Sequence, residues 1–129
     1  MKDILKLVSE FHEKFNVEKA DRVGFLSEEE YKLRFKLMKE ENYEYLVACD
    51  EQNIVEITDA LGDQLYILAG TILRHGLQHK IVEVFEEIHR SNMSKLDAEG
   101  KPVYREDGKI IKSDLYSKPD LKSILEKRS

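Results

Sequence analysis

Between Leu37 and Gly70 the chain reads as two helices that carry carboxylates where a packing stripe is expected. On the first, Leu33, Leu37, Glu41, Glu44 and Ala48 recur at helical spacing and share one face, with Glu40 beside it. On the second, Glu56, Asp59, Asp63, Tyr66 and Gly70 do the same. Ile57, Leu61, Leu65, Leu68 and Ile72 form a neighbouring stripe that supplies the apolar packing surface of that helix. The link between them is only Asp50 to Asn53, and a turn that short makes antiparallel neighbours. The two acidic faces then oppose each other near the middle of the pair. Carboxylates gathered there repel and lose solvation. Divalent cations relieve both problems, and oxygen donors without His or Cys suit magnesium or manganese. The competing reading is a solvated acidic face, the usual fate of a charge run.

The rest of the chain fits a helical bundle of one domain, residues 1–129. Charged residues reach 36% against a typical value of about 25%, as expected of helices with long charged side chains outside. The net charge of −5 argues against a binder of nucleic-acid polymers, which would be basic. Any phosphate must be met locally, by metal and a few chosen cations. One cysteine, Cys49, excludes an internal disulfide framework and reads as a small buried hydrophobe. No stretch has the length and apolarity of a membrane span or a signal peptide, so a cytoplasmic protein is expected.

In order, residues 3–15 predict an amphipathic helix with Ile4, Leu7, Val8, Phe11 and Phe15 inward and His12 near the polar side. Residues 16–26 are a connection pinned by Phe25 and Leu26. Ser27 with Glu30 fits a capping box opening a helix over about 28–49. In its early turns Arg34 lies two turns before Glu41 on the same side, placed to reach an anion beside the metals. A third helix spans about 54–75 and ends at Gly76. Gly62 inside it costs about 1 kcal/mol relative to Ala, which suggests a packing or functional reason. A fourth helix covers about 78–93. Asp107-Gly108 between short apolar arms predicts a β-hairpin, and residues 121–127 a last short helix. Asn92 and Lys95, at the end of the fourth helix, are candidates for orienting a substrate: Asn can read a base or ribose edge and Lys can neutralise a phosphate.

Glu40-Glu41-x-x-Glu44 followed by Glu56-x-x-Asp59 resembles the E-x-x-E … E-x-x-D pattern of the all-α nucleoside triphosphate pyrophosphohydrolases. These include MazG, dimeric dUTPases, dCTP pyrophosphatase and phosphoribosyl-ATP pyrophosphohydrolase. The resemblance is strongest to short MazG-like or phosphoribosyl-ATP-pyrophosphohydrolase-like bacterial proteins. It runs on through Asp59-Ala-Leu-Gly-Asp-Gln-Leu-Tyr66, His89-Arg-Ser-Asn-Met-Ser-Lys95 and Asp107-Gly-Lys109. It implies an all-α antiparallel bundle with a C-terminal hairpin arm. It implies hydrolysis of a nucleoside triphosphate between the α and β phosphates, with dUTP, dCTP or a non-standard dNTP as substrate. Carried over by position, Glu41, Glu44, Glu56 and Asp59 are magnesium ligands. Glu40 is a further ligand or the base for the attacking water. Asp63 offers a second register, because it precedes Gln-Leu-Tyr as the final motif aspartate does in some relatives. Asn92 and Lys95 resemble an N-x-x-K element that contacts substrate. The bundle is expected to be completed by a second chain, as a homodimer or a dimer of dimers. Asn42, Tyr43 and Tyr45 stand where relatives carry small or aliphatic residues, which bears on the substrate more than on the reaction.

Three alternatives stand beside this reading. Phosphoribosyl-ATP is one other substrate. A non-catalytic, nucleotide-binding helical regulator is a second. The third, a di-iron bundle, needs Glu-x-x-His twice, and the chain has it once, at Glu86-Glu-Ile-His89.

Overall fold

The computed structural model describes residues 1–127. Their order is α1 (Lys2–Lys14), α2 (Glu28–Asp50), α3 (Ile54–Arg74), α4 (Ile81–Met93), β1 (Val103–Tyr104), β2 (Ile110–Ile111) and α5 (Leu121–Glu126). The chain is all-α apart from one two-stranded antiparallel ribbon. It divides into two compact units, Met1–Gln78 and the remainder from His79. No helix among the described residues is long and apolar enough to cross a membrane.

In the first unit the helix ends follow local chemistry. Ser27 caps α2 by accepting from the Glu30 amide at 3.1 Å. Only half of the predicted capping box forms, because the Glu30 carboxylate turns to Arg74. Gln52, in the left-handed region at φ 53°, reverses the chain after α2. Asn53 then caps α3 by accepting from the Glu56 amide at 3.1 Å. α3 closes in a Schellman motif: Leu77 N–H donates to Ile72 O and Gly76 N–H to Leu73 O, with Gly76 at φ 70°. A Cβ on Gly76 would also lie 2.0 Å from the Arg22 carbonyl, so the connection between α1 and α2 passes directly over this glycine.

That connection is held by polar groups. Gly24 N–H donates to His75 O, Gln78 Nε2 to Ala20 O, and Arg74 Nη1 to Glu18 O. The predicted apolar pin is only half present, since Leu26 is half-buried while Phe25 is fully exposed. α1 lies on α3 through Leu5 and Val8, with Phe11 edge-on to Tyr66 at 5.6 Å. Its expected apolar face is therefore broader than its contact: Leu7 and Phe15 stay exposed.

The larger correction concerns α3. Most of its apolar stripe is left uncovered, although Leu68 borders a cleft with Phe35 and Met38 of α2. Leu61, Leu65 and Leu68 are 49%, 37% and 45% exposed, and within the stripe only Ile72 is buried. Polar contacts to α2 come from Asp63, Gln64, Thr71 and Arg74 and from the Ile67 carbonyl, which meet Glu41, Glu44, Asn42, Arg34 and Glu30. The cause is on α2, whose facing side carries long polar side chains that take partners on α3. Gly62 is exposed with no neighbour near an added Cβ, and nothing in the structure explains it.

In the second unit, Ser113 Oγ donates to Leu96 O at 2.6 Å and Ser94 Oγ accepts from Ser117 N–H at 2.9 Å. These bonds tie the end of α4 to the chain that follows the ribbon. The ribbon pairs Val103 with Ile111 and Tyr104 with Ile110. Gly108 at φ 87° closes its loop, with Arg105 N–H donating to Lys109 O. Asp120 caps α5, and α5 buries Ile124.

Candidate metal centre

The line where α2 meets α3 is polar for most of its length. From α2 come Glu30, Arg34, Glu41 and Glu44, at spacings of four, seven and three. From α3, running the other way, come Arg74, Thr71, Ile67 and Asp63. Antiparallel packing sets the N-terminal residues of α2 against the C-terminal residues of α3. The result is a seam with a basic end (Glu30, Arg34, Thr71, Arg74) and an acidic end (Glu41, Glu44, Asp63).

At the acidic end, Glu41, Glu44 and Asp63 each offer a carboxylate oxygen, and these atoms lie within 4.8 Å of one another. Glu44 is exposed while Glu41 and Asp63 are half-buried. Burial, a hydrogen bond with Glu44 and the charges of Glu44, Asp63 and Asp59 push Glu41 above the usual carboxylate range. Burial, Asp59 and Glu44 push Asp63 up likewise. Glu41 Oε2 is buried and makes no hydrogen bond within the protein. A buried oxygen without a donor costs roughly 1–3 kcal/mol, and a divalent cation would remove that cost along with the repulsion. The donors are all hard oxygens, whose chemistry suits Mg²⁺ or Mn²⁺.

The other candidate residues lie outside this group. Asp59 is exposed, and its charge acts on both Glu41 and Asp63. Glu40 and Glu56 are exposed and lie outside the three-carboxylate group. Glu56 occupies the first turn of α3, close to its Asn53 cap. Arg34 points into α3, where Nε donates to Thr71 Oγ1 and Nη2 to Ile67 O, each at 3.0 Å. Asn92 is exposed on α4 and Lys95 half-buried just beyond it, both in the second unit.

The basic end was not marked by the sequence as a cluster. Arg74, 8% exposed, takes both oxygens of Glu30 and holds that carboxyl below its ordinary range. His12 of α1 joins them. Burial first, then Arg34 and Arg74, lower its pKa, with Glu30 opposing. The detectable signal was register: Glu30 precedes Arg34 by four residues and Glu41 by eleven, on one helical face.

The family model for phosphoribosyl-ATP pyrophosphohydrolase matches residues 8–92, a span that holds the whole seam. The chain belongs to the phosphoribosyl-ATP pyrophosphohydrolase family. An uncharacterised protein of Acanthamoeba polyphaga mimivirus is 36% identical over 105 residues, which cover 74% of this chain and 41% of the viral protein. The chain thus spans less than half the length of that curated relative. Among the described residues, the carboxylates of the acidic end lie within the span that the family model matches.

Proposed function

We propose that the chain hydrolyses a nucleoside triphosphate between the α and β phosphates, with Mg²⁺ or Mn²⁺, giving a nucleoside monophosphate and pyrophosphate. The observation that supports this most is the convergence of Glu41, Glu44 and Asp63 within 4.8 Å, in a chain of this family. Glu41, Glu44 and Asp63 hold the cation, with Asp59 and Glu56 as further ligands. Bound there, a divalent cation neutralises phosphate oxygens and lowers the pKa of a coordinated water. Glu40, exposed beside Glu41, accepts the proton of the attacking water. The water oxygen bonds to phosphorus, the α–β anhydride bond breaks, and its electron pair leaves with pyrophosphate. Asn92 and Lys95 are the proposed substrate-contacting residues, on the strength of their N-x-x-K spacing. The preferred substrate in this reading is dUTP, dCTP or a non-standard dNTP.

A second reading keeps the bond chemistry and changes the substrate to phosphoribosyl-ATP, as the family description favours. One experiment separates the two. Pyrophosphate release is followed from a panel of dNTPs, NTPs and phosphoribosyl-ATP, with Mg²⁺, Mn²⁺ or EDTA. Metal-dependent release from a triphosphate with the monophosphate as co-product upholds the first reading. Release from phosphoribosyl-ATP alone upholds the second.

The active form in this proposal is a homo-oligomer, a dimer or a dimer of dimers. Leu61, Leu65 and Leu68 on α3 and Phe35 on α2 are exposed, and Phe35 and Leu68 line one cleft of about 420 Å³ with Met38, Lys39, Asn42 and Gln64. A second copy seated there would bury a stripe that the chain's own helices leave uncovered. Light scattering should give a multiple of the chain mass, and Leu65→Glu should return it to a single chain. A wild-type protein of single-chain mass at micromolar concentration would end this part of the proposal.

A further inference from the structure

The basic end of the seam gathers more cationic groups than carboxylates. Arg34, Arg74 and His12 meet around Glu30, and Arg74 takes both oxygens of that carboxylate. Arg34 is held by neutral groups instead. Its Nε donates to Thr71 Oγ1 and its Nη2 to the Ile67 carbonyl, each at 3.0 Å. Thr71 Oγ1 donates to the same carbonyl at 2.8 Å, which leaves the hydroxyl oxygen turned toward Nε as an acceptor. Gly70 makes room for this arrangement: an added Cβ would lie 2.7 Å from Arg34 Nη2 and 3.0 Å from His12 Nε2. One edge of the guanidinium is thereby fixed. Its Nη1 edge makes no protein hydrogen bond among the described residues, and the residue is only half-buried. A guanidinium fixed on one edge and open on the other suits a phosphate oxygen pair. Ile67 is four residues past Asp63 on α3, about 6 Å along the axis, so the carbonyl that anchors the guanidinium belongs to the same seam as the carboxylates.

We propose that Arg34 receives the distal phosphates of the substrate, and that Thr71 and Gly70 are positioning residues that hold its fork toward them. This rests on the pyrophosphohydrolase reading and names how the leaving half of the substrate is held. A cation on the leaving pyrophosphate meets charge that grows as the α–β bond breaks, so its loss shows in kcat/KM as well as in binding.

The test uses the full chain and two readouts: calorimetric binding of inorganic tripolyphosphate, and KM and kcat for the best substrate. Thr71→Val keeps the shape and removes the hydroxyl. It should weaken tripolyphosphate binding and lower kcat/KM by about tenfold each, the effect of losing one charge-assisted hydrogen bond. Thr71→Ser should restore both. Gly70→Ala should behave like Thr71→Val, and Arg34→Lys should lose the binding while keeping the charge. Wild-type binding in Thr71→Val, equal weakening in Thr71→Ser, or no tripolyphosphate binding by the wild type would each overturn the proposal. A protein that binds tripolyphosphate through Arg34 yet releases no pyrophosphate from any nucleotide supports this assignment and sinks the pyrophosphohydrolase reading.

Discussion

The two ends of the α2–α3 seam are both built from charged side chains on facing helices, and they solve their charge in opposite ways. At the basic end Glu30 and Arg74 close on each other in a paired, mostly buried contact. At the acidic end three carboxylates converge, and one buried oxygen of Glu41 makes no hydrogen bond within the protein. A closed ion pair fixes how two helices sit. Converged like charges weaken the fold that carries them, and such a site is favourable only with a ligand of opposite charge. The basic end thus reads as scaffold with one open edge, and the acidic end as function.

The largest effect should come from breaking the acidic end. Asp63→Asn or Glu44→Gln should cut metal-dependent turnover by about 100-fold or more, roughly 2.7 kcal/mol in the barrier. Either substitution should leave the metal-free melting temperature unchanged or raised, since it removes repulsion. A lowered melting temperature with turnover intact would reverse the roles of the two ends.

Next comes the scaffold. Glu30→Gln strands Arg74, which is 8% exposed, and should cost roughly 3 kcal/mol in urea unfolding, as breaking a buried pair does. A cost below about 1 kcal/mol would show that the pair is not structural.

Acid should separate the ends in the metal-free protein. Glu30 is held below its ordinary 4.5, so its stabilisation is complete above that pH and is lost as pH falls through its folded value. His12 is lowered from 6.5, so the neutral ring is favoured in the fold, and its contribution declines as pH drops below 6.5. Glu41 and Asp63 are raised, and their protonation stabilises the fold as pH falls. Melting curves in EDTA should therefore show a decline that begins below pH 6.5, and His12→Asn should remove the part of it above pH 4.5, where Glu30 is still ionised. The decline should be steeper in Asp63→Asn, which lacks one compensating group. Identical pH profiles for the wild type and His12→Asn would contradict this assignment of His12.

A smaller effect is expected from Lys95→Ala in the second unit, where Lys95 is half-buried. It should raise KM by several-fold, about 1 kcal/mol of binding, and leave metal affinity unchanged. The smallest is Lys32→Ala, which removes an exposed pair with Glu28 and should change stability by less than about 0.5 kcal/mol.

Much of this was legible in the residues. Ser27 as a helix start, the turn after α2, Gly76 as a helix end and the Asp107-Gly108 ribbon all follow from local chemistry, which needs no tertiary contact. The acids on one face of each helix were legible too, because the helical period fixes which residues share a face. The period does not say which face meets which neighbour. Hence the stripe of Leu61, Leu65 and Leu68 read as packing surface, although most of it is left uncovered. Glu30 was read as a cap because Ser27-x-x-Glu30 satisfies that pattern, and Arg74 has the look of a cation at a helix C-terminus. Their pairing joins residues 44 positions apart, beyond the reach of any local pattern. Phe25 misled for a simpler reason: an aromatic in a connection suggests an anchor, and here polar bonds to the end of α3 hold the connection in place.

The most direct test of the central claim is a Mn²⁺ titration of the wild type and Asp63→Asn, followed by electron paramagnetic resonance and by melting temperature. The account predicts saturable Mn²⁺ binding in the wild type, with a melting temperature that rises with metal concentration. Both should be lost in Asp63→Asn. Equal binding and equal stabilisation in the two proteins would contradict it, because the carboxylates at the acidic end of the seam would then not be the metal site.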